Sequence, residues 1–275
     1  MIKEFIQYEQ KIKAVSENTL TAYEKDMWSF FYYIKAFTGV TRWSEINKQD
    51  IDTYMMFLAD NKKAPATRRR KLSSIRAFYN YGMKQGYIET NPARYCESPR
   101  LAKQLPNTIE TEAIKNYTAD ITKPLTLRII IQLLYETGIR ISELTAIETS
   151  DIDYEQHTIR INGKGNKERI VYYTTDLGIM MKDYAADRQG KLFQGADQCQ
   201  REIRYEIWRA LHTHATHGKA SPHTIRHTFA TEMLRNGMPI PSLQTLMGHT
   251  NIETTRNYAR ISCEQVKRDY QAAIH

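Results

Sequence analysis

The feature that most constrains this chain of 275 residues is a break near its first third. From Glu97 the sequence reads E-S-P-R-L-A-K-Q-L-P, with Pro99 and Pro106 bracketing a stretch that carries no apolar period. Proline ends a helix and pushes the residue before it into extended backbone, so residues 98–106 read as a linker. The chain is long enough for two ordinary domains. Its apolar residues are therefore expected to form two separate cores, one in residues 1–97 and one in residues 107–275.

In the first unit, after a short polar lead, Leu20, Tyr23, Met27, Phe30, Phe31 and Ile34 recur at the spacing of an amphipathic helix, with Ser16 and Asn18 as candidate caps. Asn47, with Asp50 three residues on, predicts the start of another helix carrying Ile51, Tyr54, Met55 and Leu58. A further helix is expected after Pro65, buried through Leu72, Ile75, Phe78 and Tyr79. Its opening turns carry Arg68, Arg69, Arg70 and Lys71, with Arg76 beyond them. Successive cations on one helix repel one another by some tenths of a kcal/mol per facing pair, and phosphates would relieve that. Asn91-Pro92-Ala93 closes what reads as a four-helix unit. The charge distribution agrees: residues 1–100 hold 17 Lys and Arg against 11 Asp and Glu, whereas residues 101–275 hold 22 against 20. A basic surplus gathered at one end of a chain of net charge +8 fits a nucleic-acid clamp there.

In the second unit, Leu127, Ile130, Ile131 and Leu134 mark a core helix over 123–137, with Gly138 as its C-cap. T-G-I-R-I-S-E-L follows, setting Arg140 and Glu143 three apart at the start of another helix with Ser142 available as cap. Segments 151–154, 158–161 and 169–173 read as three short strands, with the glycine-rich turn N-G-K-G-N-K between the last two. A helix is expected over 201–214, where Arg201, Arg204 and Arg209 offer phosphate contacts. The nearby His212, His214 and His217 have no cysteine or acidic partner at ligand spacing, so no metal site is expected.

The densest chemistry lies in S-P-H-T-I-R-H-T-F-A-T-E-M-L-R-N-G-M-P-I-P-S-L-Q-T-L-M-G-H-T-N-I-E-T-T-R-N-Y-A-R, from Ser221 to Arg260. His223 and Arg226 fall on one face of a helix. Gly237, Pro239 and Pro241 punctuate a turn, and Leu243, Leu246 and Met247 form a short helix closed by Gly248, which puts His249 at a helix end. Tyr258 follows nine residues later. An arginine that forks onto two phosphate oxygens, imidazole donors and a phenolic oxygen suit attack on a phosphodiester with a covalent intermediate.

H-x-x-R, then G-H, then Tyr at these spacings resembles the C-terminal signature of the tyrosine recombinase/integrase family, closest to its Xer-type and transposon integrase members. T-G-I-R-I-S-E-L resembles that family's first arginine motif, G-K-G-N-K-E-R its strand-turn-strand lysine motif, and N-P-A the end of its core-binding domain. The resemblance covers about 250 residues. It implies an all-α N-terminal core-binding domain, a SAM-like four-helix bundle, and a mixed α/β, mainly helical catalytic domain with a small three-stranded sheet. It further implies Tyr258 as nucleophile, Arg140 and Arg226 on the scissile phosphate, Glu143 orienting Arg140, His223 and His249 as donors, and Lys164 as general acid with Lys167 as the fallback. Arg68, Arg69, Arg70, Lys71, Arg76 and Lys167 are the expected DNA contacts. The implied partner is double-stranded DNA with inverted-repeat half-sites, bound as a dimer per site and a tetramer in synapsis, with no cofactor and no metal. A type IB topoisomerase, or a DNA-binding protein with a retired site, is the alternative. A tail helix over 262–275, with Val266, Tyr270, Ala273 and Ile274 on one stripe, is expected to insert into a neighbouring subunit.

No stretch approaches the ~18 apolar residues that span a bilayer, and the N-terminus lacks the apolar core of a signal peptide. A cytoplasmic protein is expected. Cys96, Cys199 and Cys263 are odd in number and form no C-x-x-C pair, and they read as reduced and structural.

Overall fold

The computed structural model describes residues 1–100, 107–163 and 168–248, the side chains of 196 and 198 excepted, and among the described residues four α-helices make the first unit. The chain divides into two compact units, Met1–Lys103 and Gln104–His275. Helix α1 (Ile2–Lys11) is the lead that reads as polar in the sequence. It is helical because Ile2 and Phe5 share a face and have somewhere to go: Phe5 meets Phe78 edge-on at 5.6 Å between ring centroids. Helix α2 (Glu17–Phe37) starts after Ser16 and buries Leu20, Met27, Phe30 and Ile34. Helix α3 (Lys48–Asp60) opens with the expected capping box, Asn47 accepting from the amides of Gln49 and Asp50 while Asp50 accepts from that of Asn47. Helix α4 (Pro65–Lys84) buries Leu72, Ile75, Phe78 and Tyr79 against the other three.

The second unit is built around helix α6 (Leu125–Thr137), in which Ile129, Ile131, Leu133 and Leu134 are fully buried. Gly138 ends it in the left-handed conformation, φ 60°. Helix α5 (Thr111–Ala119) packs on one side of it, and α8 (Thr175–Ala185), α9 (Gln200–Leu211) and α10 (Pro222–Arg235) on others. Helix α7 (Ile141–Leu144) is a single turn. Ser142 is not its cap. Arg140 holds that position, because the chain becomes helical at Ile141 and Glu143, three residues on, accepts the Arg140 amide at 2.8 Å.

Strands β1 (Ile152–Asp153), β2 (Thr158–Asn162) and β3 (Glu168–Tyr172) form an antiparallel sheet in that order. The β2–β3 register runs from Thr158 opposite Tyr172 to Asn162 opposite Glu168, and places Ile159, Ile161 and Val171 in the core. Helix α11 (Ile240–Met247) follows α10 through the Gly237–Pro239 turn and ends at Gly248, again left-handed with φ 60°. Helix α10 starts on a local cap, Ser221 Oγ accepting from the Thr224 amide at 3.1 Å, with Pro222 in the first turn where it costs no hydrogen bond.

Candidate active site

Helix α11 leaves its last carbonyls without intrahelical donors, as every helix does. Here three consecutive ones are each taken by a different arginine. Arg169 Nε donates to Leu246 O at 2.7 Å, Arg226 Nη2 to Met247 O at 2.7 Å, and Arg140 Nη2 to Gly248 O at 3.3 Å. Arg226 also donates through Nη1 to Gly138 O, the C-cap carbonyl of α6, at 2.6 Å. Cations are favoured at helix C-termini by about 0.3–1 kcal/mol each. Two helix ends thus draw three guanidinium groups to one place.

One carboxylate holds two of them there, Arg140 and Arg169. Glu143 is 7% exposed and accepts from the Arg140 amide, from Arg140 Nη1 at 2.8 Å, and from Arg169 Nη1 and Nη2 at 3.1 and 2.7 Å. Burial alone would push its pKa up, but the hydrogen bonds from Arg169 and the Arg140 amide outweigh it and hold the carboxyl below its ordinary value. Both left-handed glycines are needed for this approach. A Cβ on Gly248 would sit 3.1 Å from Arg169 Nη1, and one on Gly138 only 2.3 Å from Phe229 Cδ1.

Arg226 is 3% exposed, on the inward face of α10. The Arg140 side chain is 42% exposed and turns the cluster toward solvent. His223 lies one turn before Arg226 on α10, its ring edge-on to His227 with centroids 4.2 Å apart. Desolvation by the surrounding protein, then the charges of Arg226 and Arg140, lower its pKa, so the neutral imidazole is favoured. The structure therefore brings together Arg140, Glu143, His223 and Arg226. Lys164, Lys167, His249 and Tyr258 lie outside the described residues, as do Cys263 and the tail helix expected over 262–275. Chemically, the described part is an anion site with a proton acceptor at its rim.

Arg169 is absent from the candidates named by sequence. A signal existed: alternation along E-R-I-V-Y puts Arg169 on the same inward face as buried Val171, and a charge pointing inward from a strand needs a partner.

In the first unit the basic residues separate by role. Arg70 and Lys71 both pair with buried Asp26, Lys71 at 3.2 Å, and Ser74 donates to the same carboxylate at 2.8 Å. Arg76 donates to Ala93 O at 3.0 Å, to Cys96 O and to Ser98 Oγ, and so fastens the 92–95 turn to α4. Arg69 is exposed, and Arg68 is half-buried. Among the residues expected on phosphates, Arg209 pairs with Glu206 at 2.6 Å and Arg204 bonds Gln200. Of the histidines read for a metal, His212 sits on Trp208 O at 2.9 Å and His214 on Glu110 at 3.4 Å. Among the described residues no group of three His, Cys, Asp or Glu stands close enough to hold a metal.

The comparisons with known proteins run the length of the chain. Tyrosine recombinase XerC of Herpetosiphon aurantiacus is 30% identical over 289 residues, covering 99% of this chain and 94% of that one. XerC of Listeria innocua is 31% identical over 286 residues, covering 98% and 95%. Among solved structures, the post-cleavage complex of the XerH site-specific recombinase bound to a palindromic difH substrate matches with TM-score 0.75 at 18% identity, over 100% of this chain and 85% of that one. The Tn1549 transposon integrase in complex with transposon right end DNA matches with TM-score 0.72 at 18% identity, over 97% and 99%. At that identity the likeness is one of fold. Residues 2–86 match the phage integrase N-terminal SAM-like domain, and residues 107–265 match the phage integrase family, which takes in the whole arginine cluster and the tyrosine beyond it. The chain belongs to the phage integrase family.

Proposed function

We propose that this protein is a site-specific DNA recombinase, a tyrosine recombinase that cleaves and rejoins duplex DNA through a 3′-phosphotyrosyl intermediate. The observation that carries this reading is the set of three guanidinium groups gathered at two helix ends, two of them sharing one carboxylate, beside a histidine whose neutral form is favoured. Arg140 and Arg226 bind the non-bridging oxygens of the scissile phosphate and stabilise the charge that grows on them, the term that usually dominates such catalysis. Tyr258 Oη attacks phosphorus, the bond to the 5′ oxygen breaks, the phenolic proton passes to His223, and Lys164 protonates the departing oxygen. His249 adds a donor to the phosphate. A positioned proton donor contributes about 10²–10⁴-fold. The bond energy is kept in the phosphotyrosine, so rejoining is the reverse step and needs no nucleotide cofactor.

The relatives named above are tyrosine recombinases, and the structural neighbours are recombinases on DNA, which supports DNA as the partner. The target would be an inverted-repeat site holding two protomers, with a tetramer in synapsis, in the cytoplasm. No described helix is long and apolar enough to cross a membrane. Residues 1–97 and 107–275 would each contact the duplex, with Arg68 and Arg69 on phosphates. A nicked suicide substrate tests the reading: wild type accumulates a covalent adduct, and Tyr258→Phe binds DNA but forms none. An adduct that persists in Tyr258→Phe would refute the assignment of the nucleophile. Relaxation of site-free supercoiled plasmid without recombinants would instead identify a topoisomerase.

A further inference from the structure

We infer that Arg169 is a positioning residue for this reaction, acting through Glu143 on Arg140 and through Leu246 on the end of α11. The inference rests on the phosphotyrosyl reading above. Arg169 itself has no room for substrate. Its side chain is 8% exposed, both terminal nitrogens bond Glu143, Nε bonds Leu246 O, and a Cβ on Gly248 would meet its guanidinium at 3.1 Å.

Its place in the chain gives these contacts meaning. Arg169 lies on the strand that follows Lys164 and Lys167 in sequence, so that strand is pinned by its first inward side chain. The Glu143 carboxylate it grips is the one that grips Arg140. The carbonyl it takes precedes those taken by Arg226 and Arg140, at the last turn before the segment that leads to His249 and Tyr258. One planar fork therefore joins the strand that follows Lys164 in sequence, the Glu143 carboxylate on Arg140, and the last turn of α11. Lysine cannot reproduce this, because a single ammonium does not present two parallel donors and a third at right angles.

The test uses full-length Arg169→Ala and Arg169→Lys, with Arg140→Ala for comparison, on nicked substrates whose scissile position carries either a normal phosphate or an uncharged methylphosphonate. Half-site affinity should stay within about threefold of wild type. Adduct formation on phosphate should fall about 10²-fold or more in Arg169→Ala, with Arg169→Lys between it and wild type. On methylphosphonate, which asks less of Arg140, the deficit of Arg169→Ala should shrink as that of Arg140→Ala does. Equal deficits on both substrates would mean that Arg169 only supports the fold, and a full rate on phosphate would mean that it positions nothing. If Arg169→Ala does not fold, the same comparison between substrates with Arg169→Lys decides. Absence of an adduct in wild type would count against the functional reading rather than against Arg169.

Discussion

Replacing Gly138 by alanine tests whether the cluster depends on backbone that only glycine allows. Gly138 has φ 60° and ψ 21°, a left-handed conformation that costs an L-residue roughly 1–2 kcal/mol. The new methyl group would also lie 2.3 Å from Cδ1 and 2.6 Å from Cε1 of Phe229, a ring that is itself 3% exposed and cannot swing into solvent. Overpacking of that kind typically costs a further 1–3 kcal/mol. The expected loss is about 2–5 kcal/mol, a large part of the roughly 5–15 kcal/mol that holds a domain folded. Gly237→Ala is the control. It has φ 85° and nothing within 4 Å of a Cβ, so it should lose only the conformational part, about 1–2 kcal/mol. Hydrogen exchange of the α6 and α10 amides reads the second unit without interference from the first. Adding Phe229→Leu to Gly138→Ala should cost less than the two single changes together, since the clash is shared. Equal losses for Gly138→Ala and Gly237→Ala, or strict additivity with Phe229→Leu, would refute the packing argument.

Cleavage should proceed in excess EDTA, because guanidinium and ammonium groups supply the positive charge that a metal would otherwise bring; a strict divalent-ion requirement in the suicide-substrate assay would overturn the mechanism. His223 favours its neutral form, so its contribution as proton acceptor is present above pH ~6.5 and lost as pH falls through the lowered value. Single-turnover cleavage should show an acid limb below pH ~6.5 that His223→Gln removes, and a limb unchanged in that variant would sink the assignment. Neutralising Arg68 and Arg69 together, and leaving Arg70 on Asp26, should weaken binding to specific and random duplex alike and flatten its salt dependence. An unchanged salt slope would mean that these arginines do not meet phosphates.

Helices with strong apolar periods and a punctuating glycine were legible in the sequence: α2, α3, α4, α6, α10 and α11 stand where Leu20, Asn47, Pro65, Gly138, Arg226 and Gly248 predicted them. Helix α1 was not, although Ile2, Phe5 and Ile6 fall at helical spacing: its remaining residues are mostly polar, and the apolar face is short and finds its partner, Phe78, far along the chain. The pairing of Arg140 with Glu143 could be read because both lie within one turn. Arg169 could not be connected to them, since its partners stand 26 and 77 residues away in sequence. The basic run of α4 shows the converse limit. Composition presents four equal cations, and only the fold reveals that Asp26, more than forty residues earlier, takes two of them.

The charge of the described site bears on which species it favours. Its three guanidinium groups and the Glu143 carboxylate sum to two positive charges, and His223 adds none until it takes the phenolic proton. A phosphodiester carries one negative charge, and the five-coordinate species formed when a phenolate attacks it carries two. A site whose excess matches the second gains more from the transition state than from bound DNA, and only that difference accelerates the step. Two features keep the excess in place before substrate arrives. The helix-end carbonyls supply negative dipole without net charge, so they hold the arginines without cancelling them. Glu143 is shared between Arg140 and Arg169, where a separate carboxylate for each would remove one of the two positive charges. An acidic residue introduced against the half-exposed Arg140 would therefore strengthen the folded cluster and weaken its action on phosphate.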